Sequence, residues 1–134
     1  MNCLVDRAPG ARVEIYRRTT HLRCAAFPGK FTGALVPLVQ AIFPQVVPAL
    51  SVMETGLCNI NAIMHPAGMV ANAGWIEKHA GDFCFYSEAI TPAVANVIAA
   101  VDDERLKIVT QLQLPPLTFI EIFYQAGLTT GDAR

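Results

Sequence analysis

The stretch from Thr91 to Pro116 limits this chain more than any other. Thr91-Pro92 is a helix start: threonine is a good N-cap, and proline is at home in the first helical position. Pro115-Pro116 forbids continuation, so a helix running to about Leu112 is predicted. Val94, Val97, Ile98, Val101, Ile108, Val109 and Leu112 form its apolar stripe. Arg105 falls inside that stripe, four residues after Val101 and three before Ile108. A charge on a buried face must be paired or reach water. Arg105 is therefore either half of a buried ion pair or a bidentate group for a carboxylate substrate. Asp102, Asp103 and Glu104 read as exposed charges.

The rest of the chain is punctuated by proline. Residues 1–10 read as irregular, with a turn at Pro9-Gly10. Residues 12–17 alternate as a half-buried strand, and 21–27 read as a second strand, giving a small hairpin. After Pro28-Gly29, apolar residues from Leu35 to Phe43 recur at helical spacing up to Pro44. Pro48 opens a further short segment, and Leu50–Met53 read as extended. A helix is expected from Glu54 to about Met64, a second from Pro66 to about Asn72, and a last one over 117–125 ending at Gly127.

Composition narrows the partners. Charged residues make up only 16% and hydrophobic residues 53% of the 134. A soluble domain is about one quarter charged, so apolar surface here is expected to be covered by a partner or another domain. A net charge of −1 gives no electrostatic case for nucleic acid. No apolar run approaches a membrane span of roughly 18 residues, and no signal peptide opens the chain. Cys3, Cys24, Cys58 and Cys84 are widely spaced and form no CxxC pair, which reads as reduced thiols in a cytoplasmic protein without a metal site.

The chemistry concentrates between Asn59 and Glu77. His65 stands directly before Pro66. Proline disfavours the helical region for the residue preceding it, so His65 is expected to end a helix and face a gap. Asn61 lies four residues earlier, one helical turn away. Carboxamides such as Asn59 and Asn61 can bind a substrate carboxylate or a nicotinamide amide, or can cap a helix. Glu77, twelve residues on, is a candidate partner that would orient the imidazole. His21 and His79 read as surface groups. No GxGxxG turn follows a strand, and no Walker sequence occurs.

Four blocks carry a resemblance. They are Asn59-x-Asn61-x-x-x-His65-Pro66, Asn72-x-Gly74-x-Ile76-Glu77, Phe85-Tyr86-x-Glu88-x-x-Thr91-Pro92 and Asp102-x-Glu104-Arg105. In this order the chain resembles the octopine/nopaline (opine) dehydrogenases. The resemblance implies a mostly α fold: a helical domain like the C-terminal domain of 6-phosphogluconate dehydrogenase, with a short N-terminal β hairpin left from a Rossmann domain. Residues 1–28 would be the remnant of the dinucleotide-binding domain and 29–134 an incomplete helical substrate domain. The implied activity is NAD(P)H-dependent reductive condensation of an amino acid with a 2-oxo acid such as pyruvate. The resemblance makes His65 the acid/base group and puts Asn59 and Asn61 near the substrate cleft.

The family's glycine-rich cofactor turn and its Arg-Tyr-x-x-Glu-Asp motif are both absent from the sequence. The chain therefore reads as an interior piece, inactive by itself. NAD or NADP would be bound mainly by a domain it lacks. Its partners would be that Rossmann domain and, through exposed apolar surface, a second copy. Two other readings stay open: a related 2-hydroxy-acid or 3-hydroxyacyl dehydrogenase in which Glu77 pairs with His65, and a non-enzymatic helical interaction module.

Overall fold

A computed structural model describes residues 2–5 and 13–129. The expected Pro9-Gly10 turn lies outside the described residues. The chain divides into two compact units, one of residues before Gly56 together with those from Ile120 on, the other Gly56–Phe119. The elements are β1 (Asn2–Val5), β2 (Val13–Arg17), β3 (Leu22–Cys24), α1 (Thr32–Gln40), β4 (Val46–Pro48), α2 (Val52–Leu57), α3 (Asn61–Ala71), α4 (Ala73–His79), α5 (Pro92–Gln111) and α6 (Phe119–Gln125). A 3-10 turn, Gly29–Phe31, precedes α1, and a π-helical turn, Phe85–Ala89, precedes α5.

In the first unit the N-terminal hairpin is present, but its strands are β1 and β2, paired antiparallel. The expected pairing of 12–17 with 21–27 does not form; β3 pairs in parallel with β4, Leu22 opposite Val46. The segment between β2 and β3 shows why. Thr20 gives its N–H to the Ala126 carbonyl and its hydroxyl to Gln125, and Arg17 donates to the Gly127 carbonyl. The turn is tied to the C-terminal end of the chain instead of closing a hairpin. The expected extension at Leu50–Met53 is also replaced, because Val52 already starts α2. Ser51-x-x-Glu54 is a capping-box pattern: Ser51 accepts the Glu54 N–H, and the buried Glu54 carboxylate accepts the Leu50 N–H at 2.7 Å. Arg23 lies 3.5 Å from the same carboxylate.

The core of the second unit is Ile63 and Met64 of α3 against Val94 and Ile98 of α5, with Ala67, Ile90 and Phe119 packed around them. Thr91 caps α5 by accepting the Val94 N–H. The buried face of α5 is Val94, Ile98, Asp102, Arg105 and Val109. Val97, Val101, Ile108 and Leu112, expected within it, are exposed. The Asp102 carboxylate, expected in solvent, is buried because it is the partner of Arg105, at 2.7 Å.

The expected break at Pro66 does not occur. Proline is the sixth residue of α3, as Pro37 is of α1. Each removes one bond, to the carbonyls of Ala62 and Gly33, both on exposed residues where water can replace it. A proline inside a helix costs about 3 kcal/mol. Burying each of Ile63, Met64, Val94 and Ile98 contributes roughly 1.5–3 kcal/mol, so packing outweighs the break.

Three helix ends close on a left-handed residue, at or just past the cap, after which the next N–H reaches back five residues. Gly127 fills that position after α6, at φ 70°. Ala80 after α4 and Gln113 after α5 fill it at φ 51° and 54°. A side chain there is strained where glycine is not. We expect Ala80→Gly and Gln113→Gly each to raise unfolding free energy by roughly 0.5–1 kcal/mol, read as a higher denaturation midpoint at unchanged slope. We expect Arg105→Leu to lower the stability of the second unit by about 3–5 kcal/mol, because it leaves Asp102 buried and unpaired; a loss below about 1 kcal/mol in urea titration would contradict the buried pair.

Candidate active site

His65 sits in the middle of α3, half-buried, not at a helix end. Its ring lies against Phe85 at 5.4 Å between centroids and 17° between planes. Tyr86 meets it edge-on at 6.1 Å, and Phe85 and Tyr86 are themselves perpendicular at 5.3 Å. Phe85 thus lies flat against the imidazole, with the exposed Tyr86 ring beside both. No described residue hydrogen-bonds either ring nitrogen.

The α3 face around His65 is continuous. Asn61, Gly68 and Asn72 lie at −4, +3 and +7 from it, the spacing of a single helical face. Asn61 is exposed one turn before the imidazole. Asn59 is exposed and its Oδ1 accepts the Asn61 N–H at 3.2 Å, so its oxygen caps the start of α3. Gly68 lets the π-helical turn approach closely: a Cβ there would stand 2.7 Å from the Phe85 ring. Glu77 lies exposed on α4, and among the described residues no hydrogen bond or ion pair joins it to His65.

Asn72 was prominent in the sequence only as part of a motif, and its structural work was not foreseen. Its Nδ2 donates to the Gly68 carbonyl at 2.8 Å and to the Ala89 carbonyl at 3.0 Å. Phe85 and Tyr86 likewise enter the sequence reading only as part of a motif block, without any expected contact to His65.

The other titratable groups serve structure. His21 is half-buried beside Arg23; burial first, then the guanidinium, lower its pKa. His79 is half-buried, against Trp75 at 4.1 Å, and its Nε2 has no hydrogen-bond partner. Arg105 donates to Asp102 and to the Leu57 and Leu117 carbonyls, which makes it a structural group.

Residues 48–132 match the family described as NAD/NADP octopine/nopaline dehydrogenase, alpha-helical domain. The chain belongs to that family. It is also similar to an opine dehydrogenase of Arthrobacter sp. (strain 1C), 34% identical over 90 residues, which is 67% of this chain and 25% of that enzyme. The chain thus spans about a quarter of that relative's length. It is a dehydrogenase-family helical domain, as the four motif blocks implied. No helix among the described residues is long and apolar enough to cross a membrane.

The family name carries NAD/NADP. The described residues do not fit a dinucleotide. Phosphates need a strand, a glycine-rich turn and a helix N-terminus in sequence; β3 runs into Ala25-Ala26-Phe27-Pro28, and β4 into Ala49-Leu50-Ser51.

Cys84 reports on the π-helical turn. Of Cys24, Cys58 and Cys84, Cys84 alone is exposed. The Ser87 hydroxyl, then the Ser87 backbone, lower its pKa, with a smaller push from Tyr86. A lowered pKa leaves more thiolate, the reactive form, at pH 7. We expect iodoacetamide to alkylate Cys84 before Cys24 and Cys58, and Ser87→Ala to slow that reaction at pH 7 but not at pH 10, where the thiol is ionised in both proteins.

Proposed function

We propose that this chain is the substrate-side helical domain of an opine-type dehydrogenase, which condenses an amino acid with a 2-oxo acid such as pyruvate and reduces the product with NAD(P)H. The observation that carries the reading is His65 stacked on Phe85 with Tyr86 edge-on beside both, and both ring nitrogens unbonded by described residues. Stacking on Phe85 restrains the imidazole without using up the atoms that carry a proton. Neutral imidazole accepts a proton from the substrate ammonium and frees its lone pair to attack the oxo carbon. A proton passes from nitrogen to oxygen in the adduct, and the imidazolium returns its proton to the resulting hydroxyl, which leaves as water and gives the protonated imine. Asn61, one turn away, and the Asn59 Nδ2 donate to a substrate carboxylate. Glu77 is the candidate partner for the imidazole in the complete protein.

We assign residues 1–28 to the end of the dinucleotide-binding domain and 29–134 to the helical domain; β1 to β3 fall in the first stretch and α1 to α6 in the second. The cofactor is then held mainly by other residues. The exposed apolar side chains of α5, Val97, Val101, Ile108 and Leu112, are the surface we assign to the remaining protein or a second copy. We place the enzyme in the cytoplasm.

The test is an NADH-oxidation assay with pyruvate and amino acids, on this domain joined to its dinucleotide-binding domain. We expect His65→Asn to lower kcat by about 10²–10⁴-fold, the usual share of general acid–base catalysis, with little change in KM. Wild-type kcat in that variant would refute the assignment of His65. Turnover by the isolated 134 residues would refute the division of labour between domains.

A further inference from the structure

We infer that Asn72 is a positioning residue for His65, acting through the π-helical turn and the Phe85 ring. The inference rests on the reading of His65 as the proton-handling group. Asn72, the residue that caps α3, lies two turns beyond His65, and the two do not touch in any described contact. What joins them is the turn Phe85–Ala89, laid along the face that both occupy. At one end of the turn, Phe85 stacks flat on the imidazole. At the other, the Ala89 carbonyl accepts from Asn72 at 3.0 Å, and Ala89 is 1% exposed. Between them, Gly68 leaves no room for a methyl group beneath Phe85.

The chemistry of the carboxamide suits this task. α3 ends at Ala71, where helix carbonyls lose their partners. The Asn72 N–H turns to Met69, so the Gly68 carbonyl takes the side-chain amide instead. One NH₂ group has two donors. Asn72 spends both on carbonyls, one in α3 and one in the turn, and so fixes the distance between helix and turn. Aspartate has the same shape but aims acceptors at two acceptors. π-helical turns are rare and frequent at functional sites; the last residue of this one is bonded from outside, by Asn72.

The experiment uses the 134-residue chain with labelled histidine and phenylalanine, and the joined two-domain enzyme in parallel. NMR reads the cross-peaks between the His65 and Phe85 rings and the ring-current shift of the His65 protons. We expect Asn72→Ala and Asn72→Asp to lose the cross-peaks and most of that shift while α5 signals stay in place. In the enzyme we expect both to lower kcat, on the order of 10²-fold for a misplaced reacting group, and not KM. Phe85→Leu should do the same, and adding Asn72→Ala to it should cost nothing further, because both act on one contact. Retained His65–Phe85 cross-peaks in a folded Asn72 variant would overturn the inference, as would additive losses in the double variant. Loss of α5 signals in both Asn72 variants would also overturn it, since Asn72 would then serve the fold alone. Lost cross-peaks with unchanged kcat would uphold the geometry and sink the role of His65 instead.

Discussion

The second unit depends on one buried pair. Arg105 and Asp102 are each 8% exposed or less, on a helix face that is otherwise apolar. Burying two charges costs several kcal/mol per ion, and their mutual attraction rarely repays it alone. Here both groups are used further. Arg105 also donates to the Leu57 carbonyl at the end of α2, where a cation suits the helix dipole, and to Leu117. Asp102 accepts the Phe119 N–H at 2.7 Å, the first of α6. Three stretches far apart in sequence thus meet on one ion pair. An apolar pair of the same volume could fill the space, but it could not terminate two helices and hold an irregular segment.

Hydrophobic periodicity made α5 legible, cap and end included, because local rules and tertiary packing agree there. Its inner face was only half legible. Periodicity marks a stripe but not which edge of the stripe faces inward, and Arg105 was the clue that resolves it. If the arginine is buried, the charge three residues earlier is its nearest partner on the helix. That places Asp102 inside and turns Val101 and Ile108 out. The strands were less legible. β3 pairs with β4, more than twenty residues away, and no local signal specifies a parallel partner.

Proline misled the reading of α3. The rule that a residue before proline avoids helix describes a local cost, and local costs are of the same size as the burial of one or two side chains. Pro66 lies on the exposed side of a helix whose other side carries Ile63 and Met64. Pro37 stands likewise in α1. In both cases water can serve the orphaned carbonyl, so the helix loses a bond but buries no unsatisfied group. His65 was recognised as a candidate from its type and neighbours, but its setting was not: a helix end was expected and an aromatic clamp was found.

The clamp was illegible because its parts do not repeat at any period. Phe85 and Tyr86 are adjacent, so in a strand or an α-helix they would point apart. The π-helical turn brings both onto His65. Gly68 and Asn72, at +3 and +7 from the histidine, meet this turn from outside: one leaves room for Phe85 and the other bonds the Ala89 carbonyl. Read backwards, the sequence holds the rule: a small residue and a two-donor side chain on the histidine's own face mark where another backbone must cross. The imidazole then meets the turn at one end through Phe85, and the cap of its own helix holds the other end, while no described residue bonds its nitrogens.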